Sequence, residues 1–552
     1  MSEPGSSKSS PQGAERKMPT PGSGLDGLAE NWRFDLIAGF EVFLISLPLC
    51  LAHAMASGFP HMAGIISAIV GGLLVSRING SHVTISGTAS GLVVVTASAV
   101  TTLGGGDPVL GYHCTLAAIV CAGVVQAIMG LTRIGRFRSF VPPSVVYGML
   151  AAIGISMMAR QSYILIGVAR PSAELLDVII ALPSHVRDIE PAIALIGLTG
   201  LAILVFWDIG KAKYDLLNRI PAPLIVVLSG LLLGAHFNLG VEHQYNFIHS
   251  SYAIGPDYLV NMPQNLLSGI AFPDFSKINT IPFWIAVLSI SLVSSLESLL
   301  SASAIDKIDP YHRSSDLNKD LLGIGSGTTI SGFIGGLPII SEIVRSSANV
   351  QFKARTQWSN FFHGLSMLIF VALFPRSLHH IPLASLASLL AFAGYKLAAP
   401  RTFTHVWLIG KEQLVPFVIT IIAIIATNLL AGVLIGIAAK MTMHVWHRVR
   451  FYEFYKLTCQ INQINEKSFR VSIESPAVFS NCPALQSNLE ALPLHKNIVI
   501  DLRGARYIDH TAMVLIDDFR NAYEWHGGHC AILGLEQHAS ASNHPLAIRK
   551  HH

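Results

Sequence analysis

The chain has 552 residues, of which 51% are hydrophobic and only 13% charged, with a formal net charge of +4. Soluble domains carry about 25% charged residues, so this composition excludes a disordered or coiled-coil protein and argues against a soluble enzyme. A mean hydropathy of +0.52 is that of a polytopic membrane protein whose first partner is the lipid bilayer. The charge is too small to suggest nucleic-acid binding. Cys50, Cys114, Cys121, Cys459, Cys482 and Cys530 form no CxxC pair, so neither a disulfide framework nor a zinc site is indicated.

Residues 1–30 are rich in Ser, Gly and Pro and read as a disordered tail. They lack the apolar core and cleavage site of a signal peptide, so the first apolar segment, Leu36–Met55, is expected to remain as a membrane helix. Further spans follow at Met62–Val75, Val83–Val100, Leu116–Leu131, Val145–Ala159, Ala192–Phe206 and Pro223–Gly234. After a polar interval (236–279) they resume at Phe283–Ile305, Leu321–Leu337, Ile339–Val350, Phe362–Phe374, Pro382–Phe392, Val415–Ala426 and Leu429–Lys440. This predicts 14 helices within residues 31–450, seven on each side of the interval. Several are shorter than the ~20 residues of a full span. Short segments at matching places in two halves point to discontinuous helices in an inverted-repeat transporter.

With the N-terminus inside, the inner loops hold fifteen Lys and Arg residues, Arg136, Arg138 and Arg219 among them. The outer loops hold five: Arg160, Arg170, Arg187, Lys277 and Arg376. The positive-inside rule then puts both termini in the cytoplasm. After about Phe454 the long apolar runs end. Alternating segments, the buried-strand pattern at 497–502 and a helical stretch at 511–523 predict a small cytoplasmic α/β domain over 455–540.

Two segments break their helices with small residues: Val83-Thr84-Ile85-Ser86-Gly87-Thr88-Ala89-Ser90-Gly91 and Ser331-Gly332-Phe333-Ile334-Gly335-Gly336-Leu337-Pro338-Ile339-Ile340-Ser341-Glu342-Ile343-Val344-Arg345. Each leads into a helix whose first N–H groups are unpaired, a ready anion site; tight Gly-mediated helix packing accounts for either segment taken alone. Arg345, one turn into the second helix, is a costly intramembrane charge suited to holding or attracting the anion, with a structural ion pair as the other reading. Glu297 is the ionisable group of a helix otherwise apolar and hydroxyl-rich. A buried carboxyl holds its proton more tightly, which suits a proton carrier; with Ser301 one turn later it is also suited to sodium. Glu342 stands where an anion should bind, and reads either as a helix cap or as a protonatable group contacting substrate. His53, on the first span, either lines the pocket or packs.

Three stretches together resemble the sulfate permease (SulP) family of anion transporters: 47–58 with 85–87, Glu297–Ala302, and 335–349. The soluble end, through Ile500-Asp501-Leu502-Arg503-Gly504 and Asp509-His510-Thr511-Ala512, resembles the STAS domain of that family. The resemblance implies a seven-plus-seven inverted repeat with core and gate domains, an elevator-like motion and a homodimer. It implies substrate binding by Thr88, Ala89 and Ser90 on the third helix and by Ile340, Ser341, Glu342 and Arg345 on the tenth, and ion coupling by Glu297. The expected activity is proton-coupled secondary transport of sulfate, bicarbonate or a dicarboxylate across the cytoplasmic membrane, with sodium as the other candidate ion and no bound cofactor.

Two positions depart from the family pattern. Members usually carry a small residue at Glu342, and nucleobase permeases of the same fold use glutamates on the eighth and tenth helices, so a nucleobase is the alternative substrate. His510 replaces the serine phosphorylated in bacterial relatives, which argues against a switch there, although Thr511 remains. A non-transporting sensor or scaffold, its STAS domain docking a cytoplasmic partner protein, is the reading from another class. An ATP-driven pump is disfavoured because no G-x-x-x-x-G-K-[ST] loop occurs.

Overall fold

The structure, a computed structural model, describes residues 20–22, 24–133, 141–168, 175–211, 213–214, 217, 220–247, 250–262, 266–311, 313–525 and 527–551. Residues 1–19 of the expected tail, and Arg136, Arg138, Arg170 and Arg219 among the loop cations, lie outside these.

The first seven membrane helices are α1 (Gly24–Ala56), α2 (His61–Ile78, with a π-helical turn at Gly71–Val75), α3 (Ser90–Gly104), α4 (Pro108–Leu131), α5 (Pro143–Leu165), α6 (Pro191–Gly210) and α7 (Ala222–His236). The second seven are α8 (Ile281–Ile308), α9 (Leu317–Phe333), α10 (Ile343–Gln351), α11 (Trp358–Leu373), α12 (Leu383–Leu397), α13 (Lys411–Ala426) and α14 (Leu429–Trp446). Every expected span corresponds to one of them. A hairpin, His243–Phe247 with Ser250–Ile254, lies between the halves.

Boundaries move where capping decides them. Asp107 accepts from the backbone N–H groups of Val109 and Leu110 and is followed by Pro108, so α4 starts eight residues before its expected apolar run. Asp316 likewise caps α9 through Asn318 and Lys319. Helix α1 begins at Gly24, so residues 24–30 are helical where the sequence reading placed the tail: Asp26 sits in the first turn and Trp358 Nε1 donates to the Gly24 carbonyl.

The expected spans at 83–100 and 339–350 are each a short strand followed by a half-helix. Strand β1 (Ile85–Gly87) precedes α3, and β2 (Ile340–Glu342) precedes α10. The strands pair antiparallel, Ile85 with Glu342, Ser86 with Ser341 and Gly87 with Ile340. The third elements of the two halves thus meet head to head, as inverted repeats require.

Two bundles surround this ribbon. In one, α9 packs on α4, α1 on α11, and α8 on α3 and α4; in the other, α12 packs on α5 and α6, and α13 on α5 and α14. Apolar side chains such as Phe206, Leu232, Ile422 and Leu434 are exposed on the outside of the second bundle, a surface suited to lipid.

The C-terminal domain has a four-stranded sheet in the order β3 (Cys459–Asn465), β4 (Ser468–Ile473), β5 (Asn497–Asp501), β7 (His529–Leu533), antiparallel at its first pair and parallel at the others. Helices α15 (Cys482–Glu490) and α16 (His510–Trp525) pack on it around Val471, Leu485, Ile500 and Ile516. A second sheet joins β8 (His538–Ser540), β9 (Arg549–His551) and β6 (Tyr507–Ile508). The domain therefore runs to residue 551, past the expected limit of 540. Polar residues hid strand β9, which forms by pairing rather than by its own hydropathy.

Candidate functional site

Pairing of β1 with β2 brings the starts of α3 and α10 together. Side chains alternate across a strand, and directly opposed residues share a face. Ile85, Gly87, Ile340 and Glu342 thus belong to one face of the ribbon, and Ser86 and Ser341 to the other. The first face meets Arg345, whose side chain is fully buried. Its Nη2 donates to the Thr88 carbonyl, its Nη1 lies 3.5 Å from Cys50 Sγ, and its Nε lies 3.3 Å from Glu342 Oε2. Gly87 leaves room for the guanidinium: a Cβ there would fall 2.9 Å from Nη1.

Glu342 is the N-cap of α10. Its Oε2 accepts from the Arg345 backbone N–H at 2.6 Å, so its own carboxylate occupies the anion position at that helix end. The start of α3 is different. Ala89 is its N-cap and offers no side-chain acceptor. His53 bridges the Thr88 hydroxyl (Nδ1, 2.9 Å) and the Ser90 hydroxyl (Nε2, 3.0 Å). The Thr88 hydroxyl donates to Cys50 Sγ, so Nδ1 carries the imidazole proton and Nε2 accepts from Ser90. His53 is thus fixed beside the open helix end and has no ion-pair partner among the described residues.

Glu297 on α8 is half-buried and lies against the first turn of α3, where a Cβ on Gly91 would fall 1.5 Å from its Oε1. Glu342 is within its electrostatic reach. Thr88, Ala89, Ser90, His53, Glu342, Arg345 and Glu297 are therefore assembled in one place. Ile340 is buried in the ribbon. Ser341 turns to the opposite face, where its hydroxyl meets Asp320 of α9. Ser301 is buried on α8 and makes no hydrogen bond to the ribbon among the described residues; it is Ser298 that accepts from the Ser341 N–H at 3.3 Å.

Several ribbon supports escaped the sequence reading. Ser346 accepts from Ile85 N, Asn349 donates to the Val83 carbonyl, and Asn360 of α11 accepts from Ser86 N while donating to Gly71 O. The signal for Ser346 and Asn349 was a polar side chain inside an expected span, whereas Asn360 lies two residues before the span expected at Phe362–Phe374. Asp320 was left out because its expected span began one residue later, at Leu321.

Residues 33–423 match the model of the sulfate permease family. The putative sulfate transporter YvdB of Bacillus subtilis is 23% identical over 528 residues, covering 94% of each chain. The bicarbonate transporter BicA of a Picosynechococcus species is 25% identical over 361 residues, covering 65% of this chain and 60% of that protein. Among solved structures, the transmembrane domain of a cyanobacterial BicA superposes with a TM-score of 0.61 at 21% identity, covering 74% of this chain and 97% of that one. Murine Slc26a9, an anion transporter in the inward-facing state, gives 0.66 at 15% identity, covering 91% and 85%. With fourteen helices in two matched sets around a strand-and-half-helix centre, this chain is a multi-pass membrane protein and belongs to the sulfate permease family.

Proposed function

We propose that the protein is a secondary active transporter of a small anion, of the class of sulfate, bicarbonate or a dicarboxylate, in the cytoplasmic membrane. The observation that carries this reading is the antiparallel β1–β2 pairing, which aims two half-helix starts at one point with Arg345 buried between them. The open end of α3 supplies N–H donors, and His53 and Ser90 supply side-chain contacts. Glu342, itself a carboxylate at the start of α10, stands in for a bound anion there. Its commitment to Arg345 and to its own helix cap disfavours the nucleobase alternative.

The coupling ion in this reading is a proton carried by Glu297, which neighbours the open helix start. The two helix bundles support an elevator-like shift of the core, α1–α4 with α8–α11, against the gate. The reading includes a homodimer and cytoplasmic termini. In support of that orientation, α1, the end of α8 and the C-terminal domain share contacts with basic residues: Arg355 N donates to Asp35 of α1, Arg313 donates to the Arg355 carbonyl and pairs with Asp309 just after α8, and Lys307 in the last turn of α8 pairs with Asp518.

The test is uptake of labelled sulfate, bicarbonate, fumarate and uracil into proteoliposomes, with pH and sodium gradients imposed separately. Uptake of an anion driven by a pH gradient at zero sodium is expected. Uracil uptake alone would transfer the assignment to a nucleobase, and binding without any uptake would make the protein a sensor.

A further inference from the structure

The reverse face of the ribbon holds a carboxyl group that the transport reading does not use. Asp320, one turn into α9, is fully buried. Both its oxygens accept from the Ser341 hydroxyl, at 3.3 and 3.2 Å, and the Asn79 side chain also bonds to it. No Lys, Arg or His among the described residues pairs with it. The cations of the surrounding elements are engaged elsewhere: Arg77 stacks on Trp358, Arg313 pairs with Asp309, and Lys307 with Asp518. Lys319, next in the chain, is exposed. The other charged groups near it, Asp306 and Asp316, are acidic. A carboxylate shut off from water with no cation beside it keeps a desolvation cost that the Ser341 and Asn79 hydrogen bonds offset only in part, whereas the carboxylic acid does not.

A second observation points to the same place. Ser86 stands directly opposite Ser341 in the ribbon, so its side chain shares the face turned to Asp320. Its hydroxyl is fully buried and has no hydrogen-bond partner among the described residues. Buried polar atoms are rarely left unpaired, so the face turned to Asp320 carries an unmet hydrogen-bonding group among the described residues.

We propose that Asp320 is a proton site on the face of the β1–β2 ribbon turned away from Arg345. One proton adds to the Asp320 carboxylate and no other bond is made or broken. The new Asp320 O–H donates to Ser341 Oγ, which frees the Ser341 hydroxyl proton to turn away from Asp320. In the ionised state Ser341 donates to Asp320 and Ser86 is left unpaired. Ser341 also donates its N–H to Ser298, next to Glu297 on α8, and it lies one residue before the α10 cap Glu342. The protonation state of Asp320 thus sets the hydrogen bonding of the strand that positions the α10 half-helix, and Asp320 is a positioning residue for the site in front. Its role in transport rests on the reading above; the proton site does not.

The test is infrared spectroscopy of the purified full-length protein at neutral pH, as the difference between wild type and Asp320→Asn. The expected result is the carbonyl-stretch band of a protonated carboxylic acid. Carboxylate bands in the difference spectrum would overturn the proposal. Should Asp320→Asn not fold, Ser341→Ala keeps the carboxyl and removes its hydrogen-bond partner, so the same acid band should shift in frequency; an unshifted band counts against the proposal. In proteoliposomes, substrate exchange by wild type should fall as the pH is raised through the alkaline range. Asp320→Asn, locked neutral, should keep at least half of its neutral-pH exchange there, and an alkaline fall identical to wild type would remove Asp320 from the transport cycle. Absence of uptake of every anion tested would refute the transport reading while leaving the infrared result standing.

Discussion

Lys440 of α14 and Asp509 at the start of α16 form a 2.9 Å ion pair with both side chains closed to solvent, joining the last membrane helix to the C-terminal domain. His444 Nε2 lies 3.6 Å from the same carboxylate, Gln413 of α13 donates to it at 3.3 Å, and Thr511 donates to its other oxygen. The loop that resembles a phosphorylation switch is therefore a dock for this chain's own helices, and Thr511 is buried in it. A cytoplasmic partner protein, if one binds, must use another surface of the domain.

This pair gives the first prediction. Lys440→Met leaves Asp509 buried without its main counter-charge and should lower stability by about 3–5 kcal/mol. The double variant Lys440→Met with Asp509→Leu should recover much of that loss, because neither charge is then buried alone. Thermal unfolding of the purified protein reads both, and a single variant as stable as wild type would count against the dock.

The pH dependence of the dock follows from its charges. Burial opposes ionisation of Asp509, but Lys440 and His444 outweigh it and hold the carboxyl well below the usual carboxylate range. A group whose folded-state pKa is depressed contributes stability above its unfolded value, about 3.9 for Asp, and loses it as pH falls toward the folded value. The Lys440-dependent part of the stability should therefore stay constant from about pH 8 to about pH 5. A decline centred near neutral pH would mean that His444, not Asp509, governs the contact.

Arg345→Ala should weaken substrate binding by roughly ten- to a hundredfold, the range for one charged hydrogen-bonding group. The variant also strips Glu342 of its counter-charge, leaving a carboxylate that repels an incoming anion. Affinity measured on the folded, purified variant checks this, and a value equal to wild type would sink the role given to Arg345.

Glu297→Gln should bind and exchange substrate but lose accumulation driven by an inward proton gradient, since the amide has no exchangeable charge. Gly91→Ala should resemble it. The added Cβ meets the tip of the flexible Glu297 side chain rather than backbone, so the fold survives while the carboxyl is pushed from the start of α3. Proteoliposome uptake with each gradient imposed alone distinguishes them from wild type; undiminished proton-driven accumulation in Glu297→Gln would pass the coupling role to another carboxyl.

A chain ending at Phe454 should still insert, because α1–α14 are complete without the C-terminal domain. Lys440 and His444 then face water instead of Asp509. Membrane extraction followed by size-exclusion chromatography checks this, and a truncated chain recovered only as aggregate would show that the dock is needed for folding.

Hydropathy alone determined the fourteen membrane segments, their division into two sets and the α/β character of the end, because burial in lipid or in a sheet demands long or alternating apolar runs that survive in a linear reading. Clustered glycines marked the two broken spans for the same local reason. What the sequence could not decide was which face of each strand a side chain would take. Ser341 reads like a site residue, yet one residue of register turns it from Arg345 to Asp320. Glu342 reads equally as cap or ligand, and only the position of the Arg345 N–H made it the cap. The union of Lys440 with Asp509, 69 residues away in the chain, depended on packing the last membrane helix against the C-terminal domain. Hydropathy is a property of segments, whereas register and charge pairing are properties of contacts between segments, and those exist only once the chain is folded.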